Sequence, residues 1–366
     1  MRGGWRSSSI MTGIMAGVVV VTMAWFAQFA HAAGGQDPGA GALPMVLPAT
    51  ANWLRAPMPV SASDEVLGPG IMGYVASRED TLMEIARAFD FGFNEMALAN
   101  PGIDPWMPEE GVTVELPFLF VVPTSAAPWD LLINIPEMRL YRRAGPGWME
   151  TFPIGIGREG SSTPVGSATI TRKTENPTWY PPDSVRKEHP ELPVAFPPGP
   201  ENPLGTHALY LSFPGAYRMH GTHRPLGVGR RVSHGCIRMY PEDIRLVYSR
   251  VPVGARLVTV NQPVKAGWQG DTLYLEVHPL LSMMTEEFEE KLNFENEGGE
   301  NAAEELLVNR NLPAWIEELT LLADRMIRQA TARRPGASVQ VDWETVNRLV
   351  LEPDGVPHPV GRLVRN

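Results

Sequence analysis

Cys236 is the only cysteine in 366 residues. It stands in the run Ser233-His234-Gly235-Cys236-Ile237-Arg238-Met239, downstream of His220-Gly221-Thr222. One cysteine makes no internal disulfide, so this thiol is either a buried apolar filler or a working nucleophile. A thiol attacks carbonyls poorly and a thiolate attacks them well, so a nucleophilic cysteine needs a neighbouring base or a positive field. His220 and His234 are the candidate bases. His234 and Cys236 have the spacing of one face of a strand, and His220 then arrives from an adjacent strand across the loop 222–232. Gly235 leaves room for a substrate to approach the backbone. The amides of Gly235 and Cys236 could hold a tetrahedral oxyanion. A zinc site built from His220, His234 and Cys236 has suitable ligand types but lacks the paired-cysteine or His-x-x-x-His spacing of familiar zinc sites.

These residues need a scaffold, and the segment 128–263 reads as mostly β. Leu131 to Ile135, Met138 to Tyr141, Ala168 to Thr171, His207 to Ser212 and Arg256 to Val260 are short, β-prone and punctuated by Gly or Pro. One helix stands out, opening at Pro241 with Glu242 and Asp243 in its first turn and Ile244, Val247 and Val251 on one face. The expectation is a mainly β domain, a sandwich or barrel, with the cysteine on a loop or strand end. Tyr210, Tyr217 and Trp179 are candidates for lining a substrate groove.

Upstream, residues 72–119 read as a small α+β module. Tyr74-Val75 is a strand, Thr81-Leu82-Met83-Glu84 has capping-box form, and Leu82, Ile85, Ala86 and Phe89 keep helical spacing. Asn94 is placed to cap a second helix ending at Asn100-Pro101-Gly102, and Val112 to Leu116 closes as a strand. Residues 33–71, rich in Gly, Ala and Pro, read as a linker. Residues 268–366 read as a mainly helical extension of unassigned role, with a helix at Ala314 to Ala332 and another capped by Asp342. The acidic stretch Glu286 to Glu305 lies between these helices and the β segment 128–263.

The N-terminus sets the compartment. Arg2 and Arg6 precede an apolar run over 10–30, and Ala30-His31-Ala32 fits a small-x-small cleavage site. Residues 1–32 therefore read as a secretory signal peptide, with an uncleaved anchor as the competing reading. Oxidising compartments favour paired cysteines, so an unpaired one there is best tolerated when it has a task. The net charge of −10 argues against nucleic acid as a partner. Against that acidic balance, the stretch Arg218 to Arg238 is basic and suited to attracting carboxylate-bearing substrates.

The run Asp80-Thr81-Leu82, Ile85-Ala86 and Asn100-Pro101, in strand-helix-helix-strand order, resembles the LysM glycan-binding module. The alternative is an unrelated helical hairpin that only packs on the next domain. His220-Gly221-Thr222 followed by Ser233-His234-Gly235-Cys236-Ile237-Arg238-Met239 resembles the signature of bacterial L,D-transpeptidases. The likeness extends to Pro153-Ile154-Gly155-Ile156-Gly157, Thr163-Pro164-Val165-Gly166, Asn176-Pro177-Thr178-Trp179 and the stretch Pro197 to Gly205.

The second resemblance implies a β-sandwich with Cys236 as nucleophile and His220 as its base. It implies that the Gly221 carbonyl orients that histidine, that Gly235 and Cys236 form the oxyanion hole, and that His234 supports the site. Substrate contacts fall to Arg238, Ser233 and Tyr210. It further implies a periplasmic enzyme, needing no metal or organic cofactor, that acts on peptidoglycan stem peptides. The acyl acceptor is then another stem or a lysine of an outer-membrane lipoprotein, and the LysM-like module holds glycan strands. Rival readings on the same scaffold are a cysteine hydrolase that cuts stems or detaches lipoproteins, and a non-catalytic wall-binding protein.

Overall fold

The computed structural model describes residues 55–61, 64–284 and 313–364. The signal-peptide reading, most of the linker and the acidic stretch Glu286 to Glu305 lie outside these residues. No helix among those described is long and apolar enough to cross a membrane.

The chain enters through β1 (Met58–Pro59) and β2 (Val66–Val75), so ordered strands begin inside the range read as linker. Gly68, Pro69 and Gly70 hide the strand signal there. β2 is followed by α1 (Leu82–Phe89), α2 (Phe93–Ala99) and β3 (Thr113–Val121), and β2 and β3 pair antiparallel. Thr81 caps α1 as expected: its Oγ1 accepts from the Glu84 amide at 3.1 Å, and Glu84 Oε2 accepts from the Thr81 amide at 3.2 Å. Asn94 does not cap α2. Gly92 holds that position, with its amide donated to Glu95 at 3.1 Å, and Asn94 is buried inside the helix.

The catalytic segment contributes β4 (Leu131–Asn134), β5 (Arg139–Gly145), β6 (Trp148–Pro153), β7 (Ile156–Gly157), β8 (Gly166–Glu175), α3 (Asp183–Glu188), β9 (His207–Leu211), β10 (Arg218–His220), β11 (Arg231–Ser233), β12 (Ile237–Arg238), α4 (Pro241–Arg250) and β13 (Arg256–Val260). A sheet runs β1-β6-β5-β4-β13-β8-β9-β10-β12, and β7 pairs with β11 separately. The large sheet bends at β8, where the register shifts between Ile170 and Arg172. Leu131, Ile133 and Leu140 from one half and Leu209, Met219 and Ile237 from the other thereby share one core with Ile244 and Val247 of α4. This is the expected mainly β fold.

Among the described residues the C-terminal part sets its expected helices against a four-stranded sheet that was not expected. β14 (Val264–Gln269) and β15 (Thr272–Val277) form a hairpin around Gly270-Asp271. After α5 (Ala314–Ala332), β16 (Ser338–Val341), α6 (Trp343–Leu351) and β17 (His358–Val364), the sheet order is β14-β15-β17-β16. Leu273, Leu275 and Val277 alternate into a core shared with Leu319, Ala323 and Ile327 of α5 and Leu349 of α6. Asp342 caps α6, its side chain accepting from the amides of Glu344 and Thr345.

Two buried ionic contacts join the parts. Lys265 Nζ lies 2.7 Å from Glu137 Oε2 and 2.6 Å from Glu276 Oε1, and Glu276 also accepts from the Val121 amide at 2.7 Å. Glu137, Glu276 and His278 are grouped closely enough to suggest a metal site, but the Lys265 ammonium already stands between the two carboxylates and pairs with both. Arg139 is buried between the module and the catalytic sheet, 2.5 Å from Glu95 and stacked over Phe120.

Candidate active site

In the paired strands β10 and β12, Met219 sits opposite Ile237 and His220 opposite Arg238. Met219 and Ile237 point into the core, so by strand alternation His220 and Arg238 face the other side. On that side lies a half-open cleft of about 270 Å³, whose lining includes Cys236, His220, Ser233, His234, Arg238 and Arg218. Trp179, Pro182 and Val185, from the segment carrying α3, also line it.

His220 is buried. Its Nδ1 lies 2.5 Å from the Gly221 carbonyl oxygen. A carbonyl only accepts, so Nδ1 carries the ring proton and Nε2 keeps its lone pair. Burial, reinforced by the Arg238 and Arg218 guanidiniums, pushes the His220 pKa down to about 3 against the opposing pull of the Gly221 carbonyl. At neutral pH the imidazole is uncharged and able to take a proton.

Cys236 is half-buried, and its Sγ donates to the Ala216 carbonyl at 3.8 Å. His234, Gly235 and Cys236 do not form a strand. They make a bend between β11 and β12, because Gly235 adopts φ +99°, a left-handed value natural only to glycine. A Cβ at Gly235 would also stand 2.7 Å from Tyr217 Cε1. The bend turns the thiol into the cleft where a flat strand would carry it past.

Hydrogen bonds fix the bend from several sides. Ser233 Oγ accepts from the Gly235 amide at 3.1 Å and donates to the Cys236 carbonyl at 2.5 Å. Thr163 Oγ1 donates to the Gly235 carbonyl at 3.1 Å and accepts from the Gly157 amide at 3.0 Å. Gly155 and Arg238 exchange backbone hydrogen bonds, both at 2.9 Å.

Comparisons with known proteins bear on what this arrangement is for. Residues 128–260 match the family model YkuD, described as the L,D-transpeptidase catalytic domain. A protein of Escherichia coli K12 named Probable L,D-transpeptidase YbiS is 36% identical over 247 residues, 66% of this chain and 80% of that protein. Probable L,D-transpeptidase ErfK/SrfK of Salmonella typhimurium is 36% identical over 240 residues, 64% of this chain and 77% of that protein. The chain belongs to the L,D-transpeptidase family. Among solved structures, an L,D-transpeptidase from Mycobacterium smegmatis aligns at a TM-score of 0.29 and 20% identity, covering 42% of this chain and 71% of that one.

Within this L,D-transpeptidase, the predicted residues divide by position. Cys236, His220, Ser233, His234 and Arg238 share the cleft, and the Gly221 carbonyl accepts a hydrogen bond from Nδ1 of His220. Of the two amides expected at the oxyanion, that of Gly235 donates to Ser233 Oγ, whereas that of Cys236 makes no hydrogen bond among the described residues. The Ser233 hydroxyl braces the bend, accepting from the Gly235 amide and donating to the Cys236 carbonyl. His234 turns to α3: its Nε2 lies 3.1 Å from Glu188, which also pairs with Arg158 at 2.6 Å. Arg238 is held mostly out of water, which lowers its pKa, and no carboxylate among the described residues pairs with it. Tyr210 does not line the cleft; it lies on β9, beyond Arg218.

Sequence reasoning missed Thr163 and Glu188 as site residues. Thr163 reaches the cysteine bend from the loop before β8 and Glu188 from the end of α3, and nothing in the local pattern marks either for a contact across that distance.

Proposed function

We propose that the protein is a periplasmic peptidoglycan L,D-transpeptidase working through a Cys236 thioester. The donor is a tetrapeptide stem. His220 Nε2 takes the thiol proton as Cys236 Sγ attacks the carbonyl at the L-centre of meso-diaminopimelate, the third stem residue. The resulting oxyanion is met by the Cys236 amide. Collapse breaks the C–N bond to the terminal D-alanine, whose amine leaves with the proton held by His220, and an acyl thioester remains. An acceptor amine then attacks the thioester and releases the thiol. A second stem gives a 3-3 cross-link, a lipoprotein lysine gives a tethered lipoprotein, and water gives carboxypeptidase action. The uncharged, carbonyl-locked His220 in one cleft with the chain's only cysteine carries this reading.

In the same reading the N-terminal segment exports the chain, and the βααβ module is a LysM-like glycan holder. Trp106, 41% exposed on the loop between α2 and β3, offers a flat amphipathic face for a sugar ring. Holding the glycan raises the local concentration of stems at the cleft.

The test is purified protein with defined tetrapeptide muropeptides, read by mass spectrometry. The wild type is expected to release D-alanine and to form a new amide, and Cys236→Ala to do neither while still sedimenting with sacculi. Turnover by Cys236→Ala would overturn the mechanism. A carbapenem should add covalently to wild-type protein, because the nucleophile opens a strained lactam, and an unmodified intact mass would count against an accessible nucleophile.

A further inference from the structure

Sheet register places a second row of side chains beside the catalytic one. His220 on β10 pairs with Ala208 on β9, which pairs with Thr174 on β8. Two residues along, Arg218 pairs with Tyr210, and Tyr210 with Arg172. Because i and i+2 share a face, Arg218, Tyr210 and Arg172 lie on the cleft side of the sheet, opposite the core residues Leu209 and Leu211. Arg218 itself lines the cleft.

The two guanidiniums sit over one ring. Arg172 Cζ is 3.8 Å and Arg218 Cζ 5.4 Å from the Tyr210 centroid. Stacking holds both cations without consuming their N–H donors. Arg218 Nε donates at 3.2 Å to the Ala216 carbonyl, the same oxygen that receives Cys236 Sγ, so Arg218 is anchored at the nucleophile. Neither Arg172 nor Arg218 pairs with a carboxylate among the described residues. Arg238, which also lines the cleft, has none either. By register the Tyr210 strand lies between Arg172 and Arg218, so the two guanidiniums flank the Tyr210 ring and offer their unpaired N–H donors on the cleft side of the sheet.

We propose that Arg218 and Arg172, seated on Tyr210, form a subsite for a free carboxylate of a stem peptide, one that is not attacked. The forked donors of arginine suit a carboxylate in a way a lysine ammonium does not. The subsite rests on the peptidoglycan reading above and extends it: it makes the enzyme prefer stems with free side carboxylates over stems in which these are carboxamides. It also assigns Tyr210 a role as the platform under the cations.

The experiment compares stem pairs that differ only in free carboxylate against carboxamide, first in the donor and then in the acceptor. Acyl-enzyme formation with D-alanine release reports the donor arm, and cross-linked product from a preformed acyl-enzyme reports the acceptor arm. Wild-type kcat/KM should favour the free carboxylate by about tenfold or more in one arm, the scale of a charge-assisted contact. Arg218→Gln should abolish that preference, Arg172→Gln should reduce it, and Arg218→Lys should restore only part of it. Arg172 is exposed, so its variant tests the subsite without disturbing the bend. A wild type active on both members of each pair with equal efficiency, or a preference intact in both glutamine variants, overturns the subsite alone. A wild type inert on every stem overturns the peptidoglycan reading and the subsite with it.

Discussion

His220 should make the protein lose stability in mild acid, and the loss can be assigned to this one ring. Its ordinary pKa of 6.5 is pushed down to about 3 by burial and by Arg238 and Arg218. Between those values the unfolded chain binds a proton that the folded protein refuses. Unfolding is therefore favoured as pH falls below 6.5, and stability rises again as pH increases. At pH 5 the unfolded histidine is almost fully protonated and the folded one almost fully neutral. The difference is about 1.5 pH units' worth, or about 2 kcal/mol relative to pH 8. Other groups titrate too, so the informative comparison is wild type against His220→Asn, in which an amide can still donate to the Gly221 carbonyl. Any fixed cost of the substitution cancels when each protein is compared with itself. Urea unfolding at pH 8 and pH 5 should show wild type losing about 2 kcal/mol more than His220→Asn over this interval. Equal losses would mean that His220 takes up its proton in the folded protein as a free histidine does. The uncharged base required by the mechanism would then be absent in mild acid.

Two further outcomes follow from the buried contacts. Arg139→Leu leaves the Glu95 carboxylate without its partner between module and sheet. It should cost about 3–5 kcal/mol in urea unfolding, with part recovered by adding Glu95→Leu; a loss below about 1 kcal/mol would refute the buried pair as a determinant of docking. Thr163→Val keeps the shape but strips partners from the Gly157 amide and the Gly235 carbonyl. It should cost about 1–3 kcal/mol and slow carbapenem acylation of Cys236, whereas unchanged stability and acylation would show that the bend holds without it.

What the sequence revealed follows from how local each signal is. The Thr81–Glu84 capping box spans four residues and is formed as expected. The strands around Leu131, Ala168, His207 and Arg256 also fall where β propensity and punctuation put them. The helix Ala314–Ala332 has the expected bounds. Reading His234 and Cys236 as one strand face failed because period-two spacing is blind to the left-handed φ of Gly235. The C-terminal hairpin was legible in principle, since Leu273, Leu275 and Val277 alternate after a Gly270-Asp271 turn, but two long helical patterns beside it dominated the segment. The Thr163 brace, the Glu188 clasp and the Arg172–Tyr210–Arg218 row were out of reach for another reason. Each depends on register between strands or loops far apart in the chain, which spacing along one segment does not encode.

The same long-range contacts decide where the nucleophile sits. β11 leads directly into the cysteine bend, and both flanking parts grip it or its approach. From the module, the first amides of α2 donate to the loop just upstream of β11: Phe93 to the Val228 carbonyl and Asn94 to the Gly229 carbonyl, each at 3.2 Å. That approach needs two glycines, for a Cβ on Gly229 would stand 2.4 Å from Gly92 Cα. From the C-terminal side, Arg231 Nη1 donates to the carbonyls of Leu281 and Met284, both at 2.7 Å. Attack on a carbonyl tolerates little misplacement, about an ångström costing on the order of a hundredfold in rate. Since the strand delivering Cys236 is held by α2 on one side and by residues beyond β15 on the other, the geometry of the thiol belongs to the module, the catalytic sheet and the C-terminal part together. A catalytic segment cut at the family-model boundary would keep Cys236 and His220 but would lose both grips on β11.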